Sequence, residues 1–281
     1  MPITPHELVE NLGDLPPLPQ VTDRVLRLAA IPESTAEDFL RVIALDQALA
    51  GLTLRMANSA AFGLMRQVAT LPQAIAILGL PTLKSAIIAS SARNLQRRGA
   101  VSPQARLLWE HALAVAMASR AFAERLDSPA AEAFTAGLLH DLGKAVLGIK
   151  IPEHYTPLLR AVHEQEGACS DQELEAFGFD HTMVGEALAQ RWHLPPGLGA
   201  AVRWHHEPRS APADHRRLTA VVALANHLAL ELGAGLGAPA ALEEASHQAM
   251  ELLDLDPGAL ASLKAEVRQA VEREGSSLES F

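Results

Sequence analysis

Ser170–Arg191, SDQELEAFGFDHTMVGEALAQR, decides the fold class. Ser170 and Glu173 have the spacing of a capping box, in which a hydroxyl and a carboxylate satisfy orphan amides at a helix start. Asp180 then offers a capping carboxylate ahead of a second apolar-periodic run, and its apolar positions are mainly Ala and Leu, which favour helix. The same punctuation recurs outward along the chain. Pro19 opens an apolar-periodic segment, Ser34 and Glu37 repeat the capping-box spacing, and Asp46 precedes another periodic segment. Thr70 with Pro72, Ser102 with Pro103, and Ser128 with Pro129 each place a hydroxyl before an early proline. Gly79, Gly99 and Gly233 stand where helices end. No period-2 strand series and no Asn-Gly or Asp-Gly hairpin signal interrupts the pattern. The expectation is an all-α chain of roughly a dozen helices on short connections. Charge and glycine at Arg97–Ala100 mark a boundary between an N-terminal helical lobe, 1–100, and a C-terminal lobe with a helical extension, 101–281.

Composition narrows the function classes. The 281 residues are 49% hydrophobic and 20% charged, ample for a buried core and unlike a disordered chain. A single cysteine, Cys169, excludes a disulfide framework and a Cys-based zinc cluster. No base or cation adjoins it in sequence, so it reads as inert. A net charge of -10 and 4% aromatics argue against a nucleic-acid surface. The N-terminus lacks a signal-peptide pattern, and Ala220–Leu242, the most apolar long stretch, carries Asn226, His227 and Glu231. The expectation is a soluble, cytoplasmic protein without a membrane span.

The histidines of the second half carry the chemistry. They are His111 in LLWEHALAVA, His140-Asp141 in GLLHDLGK, His181 in FDHTMVGEAL and His205-His206 in VRWHHEP, followed by Asn226-His227. An adjacent His-Asp pair at a helix end can offer a ring nitrogen and a carboxylate oxygen to one cation. Histidines from neighbouring helices can complete one or two sites of mixed nitrogen and oxygen ligands. Two ions about 4 Å apart could activate a water and polarise a phosphate. Plainer readings stand beside this one. His140-Asp141 can be a helix terminus bonded to the backbone, Lys144 a cation at a helix end, and His181 a capping or surface residue. On a continuous helix His205 and His206 project about 100° apart, so only one would face a given pocket.

His140-Asp141 followed by Leu-Gly-Lys, with the other histidines in this order, resembles the HD superfamily of metal-dependent phosphohydrolases. That resemblance implies His111, His140, Asp141, His181, His205 and His206 as ligands of iron, manganese or zinc, with Asp141 bridging. It also implies Lys144 as the group that reaches a substrate phosphate. Asn226 stands about where the last carboxylate ligand of the two-metal branch would fall, and a neutral amide favours an inactive site. The stretches LPPLPQVTDRVLRLA (15–29), IALDQALAGLTLRMANSAAFG (43–63), LPQAIAILGLPTLKSAII (71–88) and VGEALAQRWHLPPGLGAAVRWHHEP (184–208) resemble the HDOD domain more narrowly, from about Leu15 to about Leu230. Gln47 departs from the proline usual there.

The HDOD resemblance implies a bacterial signalling module that acts as a regulator or scaffold without established catalysis. With room for one module, its signalling partners would be separate polypeptides. EPRSAPAD, after His205, lacks the Gly-Tyr-Pro signature of cyclic-di-GMP phosphodiesterases. Three functions follow: a non-catalytic scaffold, a metal-dependent phosphohydrolase, and a small-nucleotide sensor. Asn58-Ser59 after Arg55 reads as a helix terminus or an interaction surface. Arg93, Arg97 and Arg98 read as a solvated basic face or a contact for a phosphate or acidic partner.

Overall fold

The computed structural model describes residues 4–10, 34–44, 68–80, 103–165 and 168–278, with isolated positions between residues 24 and 83. Asp46, Asn58-Ser59 and the Arg93, Arg97 and Arg98 cluster lie outside them. The described residues are all-α, with no strand among them. Twelve helices have defined bounds: α1 (Pro5–Glu10), α2 (Ala36–Ile43), α3 (Pro103–Arg125), α4 (Ala130–Leu139), α5 (Leu142–Lys150), α6 (Pro152–Gln165), α7 (Cys169–Phe177), α8 (His181–Arg191), α9 (Pro196–Trp204), α10 (Arg216–Glu231), α11 (Glu243–Leu252) and α12 (Pro257–Leu278). Residues 71–80 are helical as well. No helix among the described residues is long and apolar enough to cross a membrane.

Local chemistry explains where several of these helices begin. The Asp180 carboxylate accepts the Met183 amide at 3.0 Å and starts α8, as the sequence predicts. At α2 the capping box forms one residue later than the Ser34–Glu37 spacing suggests. Thr35 Oγ1 accepts the Asp38 amide and Asp38 Oδ2 accepts the Thr35 amide. The helix that follows buries Phe39 and Ile43, one turn apart on one face. The Ser170–Glu173 box does not form. Helix α7 starts at Cys169 after Ala168, with no side-chain cap, and Glu173 is buried. Ser128 does not cap α4 either; its hydroxyl bonds the Leu126 carbonyl and accepts from Arg217.

Helix α3 is the axis of the bundle. From Ala112 to Ala123 nearly every side chain is buried, as expected of a helix covered on all sides. It packs on α4, α10 and α12, while α8 packs on α5, α9 and α1. Leu8 of α1 joins the large hydrophobic cluster that runs from Leu108 to Val267. A separate cluster gathers Val25, Phe39, Ile43, Ala57, Val68, Ala74, Ile75, Leu78 and Leu83.

Candidate metal centre

Helix ends meet at one point in the large cluster. His140 is the C-cap of α4 and Asp141 the residue before α5, so the His-Asp pair sits at a break between two helices. His111 comes from α3, His181 opens α8, and His205 and His206 follow the end of α9. The approach of α5 to α8 rests on glycine. A Cβ on Gly143 would stand 1.8 Å from the His181 carbonyl oxygen and 2.9 Å from the Gly185 amide. Only a bare α-carbon lets the two backbones come this close, and their closeness sets His181 beside Asp141.

The Asp141 carboxylate divides the site into two halves. On its Oδ1 side lie His181 Nε2 at 3.3 Å and His205 Nε2 at 3.7 Å. His206 Nε2 lies 3.2 Å from His181 Nε2, and donor atoms of His181, His205 and His206 fall within 4.8 Å of one another. On its Oδ2 side lie His140 Nε2 at 3.3 Å, His111 Nε2 at 3.7 Å and the Lys144 ammonium at 2.8 Å. His140, His181 and His205 are fully buried, and His111, Asp141 and Lys144 nearly so. The structure thus brings together all six residues of the predicted ligand set, with Lys144 among them.

Two expectations need correction. His181 is neither a surface residue nor the helix cap; Asp180 caps α8, and His181 is sealed into the centre. His205 and His206 both face the site, their rings 4.1 Å apart. His205, the C-cap of α9, still has helical backbone angles, so a 100° separation of neighbouring side chains does not keep the second imidazole from the site. Asn226 is buried on α10, and its Oδ1 makes no hydrogen bond.

The ring orientations specify the donor atoms. His111 Nδ1 bonds the Ala234 carbonyl at 2.8 Å, His140 Nδ1 the Gly137 carbonyl at 2.7 Å, and His205 Nδ1 the Val202 carbonyl at 3.0 Å. His181 Nδ1 bonds Glu173 Oε2 at 2.6 Å. A carbonyl or carboxylate only accepts, so each of these Nδ1 atoms carries a proton and each ring turns its Nε2 toward Asp141. Acceptors facing acceptors in a buried space are unfavourable without positive charge. His140 Nε2, Asp141 Oδ1 and His205 Nε2 indeed make no hydrogen bond. Orphaned donors of this kind, with their far nitrogens anchored, fit a divalent cation.

Electrostatics agrees with that fit. Burial, with the neighbouring His140, pushes His111 down to about 4, so it is neutral at pH 7. Burial and the neighbouring histidines hold His205 and His206 well below the ordinary range too. Burial works against the Asp141 anion, but His140 and Lys144 overcome it and hold its carboxyl well below the usual range. His181 is the exception. Burial pulls it down, yet the charge of Glu173 lifts it to about 9, so without an ion a proton supplies the positive charge on the Oδ1 side.

Glu173 belongs to the site as well, although its spacing from Ser170 suits a cap. Fully buried, it accepts from the Tyr155 hydroxyl at 2.6 Å and the His181 amide at 2.7 Å, as well as from the His181 ring. The Cys169 thiol donates to it at 3.2 Å, and burial with this carboxylate pushes that thiol well up, in keeping with an inert cysteine. An acidic residue flanked by tyrosine and histidine in the fold leaves no local pattern in sequence.

An all-helical bundle with histidines from four helices gathered about one His-Asp pair defines the HD-like class. Residues 15–208 match the HDOD domain, and the chain belongs to that family. A solved protein of Marinobacter aquaeolei VT8, provisionally assigned to signal transduction, superposes with a TM-score of 0.76 at 23% identity, over 97% of this chain and 60% of that one. A provisionally named phosphohydrolase of Shewanella amazonensis SB2B superposes with a TM-score of 0.70 at 27% identity, over 96% of this chain and 97% of that one. An uncharacterized protein of Treponema pallidum (strain Nichols) is 27% identical over 221 residues, 78% of this chain. The chain spans 43% of the length of that curated relative.

Proposed function

We propose that this chain is a regulatory module of signal transduction that holds one divalent cation and acts on partner proteins rather than on a substrate. The observation that carries the cation is the convergence of Nε2 atoms on Asp141 while every Nδ1 but that of His206 is tied to an oxygen. The Oδ1 half supplies four donors: Asp141, His181, His205 and His206. In the Oδ2 half the Lys144 ammonium already neutralises the carboxylate, and the second half needs no ion of its own. Three imidazoles and one carboxylate suit zinc, iron or manganese better than magnesium or calcium, which prefer oxygen. When bound, such an ion supplies a charge that ties the starts of α5 and α8 to the end of α9.

Burial of the donors supports regulation over turnover. A hydrolase needs its ion open to water and substrate, whereas His140, Asp141, His181 and His205 are buried and only His206 among the donors of the Oδ1 half is partly exposed. The smaller cluster, Val25 to Leu83, supports a lobe within residues 1–100, while Leu8 of α1 belongs to the large cluster of the second lobe, 101–281, which holds the centre. The Shewanella relative favours a second reading, a metal-dependent phosphohydrolase in which Lys144 receives the phosphate. Both are tested on one preparation: metal-free protein is titrated with Zn²⁺ and Mn²⁺, then the loaded protein is assayed on phosphate monoesters, diesters and nucleotides. One equivalent, lost in His205→Ala, with no product formed supports the module. Product formation that needs the ion and Lys144 supports the hydrolase, and absence of binding overturns both.

A further inference from the structure

We infer that Glu173 is a positioning residue of the centre: its buried carboxylate fixes the His181 ring so that Nε2 faces the cation. The inference rests on the cation reading above. Four observations carry it. Glu173 is fully buried, and an isolated carboxylate at such a place is costly unless it is paired. Oε2 takes both the His181 amide, at 2.7 Å, and the ring Nδ1, at 2.6 Å, which sets the backbone and the side chain of the same residue together. Oε1 is held by the Tyr155 hydroxyl at 2.6 Å, and Tyr155 is itself fully buried on α6. The carboxylate therefore cannot swing away from His181 without leaving a buried donor unpaired. Among the four ring Nδ1 partners described, this is the one carboxylate; His111, His140 and His205 lean on backbone carbonyls.

The difference has chemical content. A carbonyl orients a ring, whereas a carboxylate also shifts electron density toward the far nitrogen and strengthens it as a donor. It places a negative charge just outside the ligand set as well, directly behind His181 on the Oδ1 side. Glu173 thereby biases a lone cation toward the half that contains His181. Tyr155 and Glu173 also link α6 and α7 to α8, so the ligand geometry depends on how those helices pack.

The test compares wild type, Glu173→Gln and Tyr155→Phe for Zn²⁺ affinity by chelator competition, with thermal melts of the metal-free proteins alongside. The glutamine variant is expected to bind Zn²⁺ about 10- to 100-fold more weakly, and Tyr155→Phe only a few-fold more weakly, because the carboxylate stays. An independent readout on Zn²⁺-loaded wild type needs no variant to fold. Nuclear magnetic resonance on ¹⁵N-histidine protein should show His181 bound through Nε2, with a far-downfield Nδ1–H proton. Equal Zn²⁺ affinity of wild type and a folded Glu173→Gln would overturn the inference, as would coordination of His181 through Nδ1. Wild type that takes up no Zn²⁺ overturns the cation reading instead, and the two failures are distinct.

Discussion

Gly143→Ala is the sharpest perturbation of the centre that touches no ligand. The added carbon would stand 1.8 Å from the His181 carbonyl oxygen, and real contacts of this kind do not fall below 3.0 Å. The α5 and α8 backbones must therefore part by about 1.2 Å, the difference between those two distances. The obstacle is backbone on both sides, so no side chain can turn aside to relieve it. Overpacking costs about 1–3 kcal/mol, and a rigid backbone clash belongs at the upper end. For a domain of this size about 3 kcal/mol lowers Tm by about 6–12 °C. The consequence for the ion is larger. Ligand distances tolerate only about 0.2 Å, so a displaced His181 drops out of the set and affinity for Zn²⁺ falls by at least tenfold. Differential scanning calorimetry and chelator competition read the two effects separately. A Gly143→Ala protein with wild-type Tm and wild-type affinity would refute the claim that this glycine sets the distance from His181 to Asp141.

Gly235→Ala probes the other half of the site. Its Cβ would lie 2.6 Å from His111 Nδ1, at a φ of +135°. Stability should fall by about 2 kcal/mol while Zn²⁺ uptake persists, because the ion belongs to the Oδ1 side; loss of uptake would move it to the side of His111. Lys144→Met removes the cation paired with Asp141 at 2.8 Å. Breaking a buried pair costs about 3–5 kcal/mol, so the metal-free protein should melt markedly lower, and saturating Zn²⁺ should raise its Tm more than it raises that of wild type. The response to pH depends on a contact outside the centre. His227 on α10 bonds Lys264 on α12 at 3.0 Å, and Lys264 also bonds Glu231 at 2.8 Å. Burial and then Lys264 hold His227 below its ordinary value, against the pull of Glu231 and Glu243 and with a further push from His247. The unfolded chain thus takes up a proton before the folded one, and stability contributed by neutral His227 is lost as pH falls below about 6.5. Thermal melts from pH 8 to 5 should converge for wild type and His227→Gln in the acid range; a constant gap would refute the role of this contact.

The fold class was readable because capping and apolar periodicity are local properties, and Asp180 shows such a signal surviving intact. Ser34–Glu37 has the capping-box spacing on paper, yet the box forms at Thr35–Asp38, and the helix it opens buries Phe39 and Ile43. At Ser170–Glu173 the core claimed the carboxylate outright. The ligand set was visible as an ordered series of histidines and one aspartate, yet its geometry was not. That His205 and His206 both face inward depends on the helices packed around the end of α9, and that His181 reaches Asp141 depends on Gly143 meeting the backbone of α8. Glu173 leaves no local signal because its partners Tyr155 and His181 stand on other helices, α6 and α8, and meet it only through packing.

Metal stoichiometry tests the central claim most directly. Protein stripped with chelator and reloaded with Zn²⁺ or Mn²⁺ is measured by inductively coupled plasma mass spectrometry, beside His205→Ala from the Oδ1 half and His111→Ala from the Oδ2 half. The account predicts one equivalent in wild type, retained by His111→Ala and lost by His205→Ala. Two equivalents, or an ion that depends on His111 and not on His205, would contradict it.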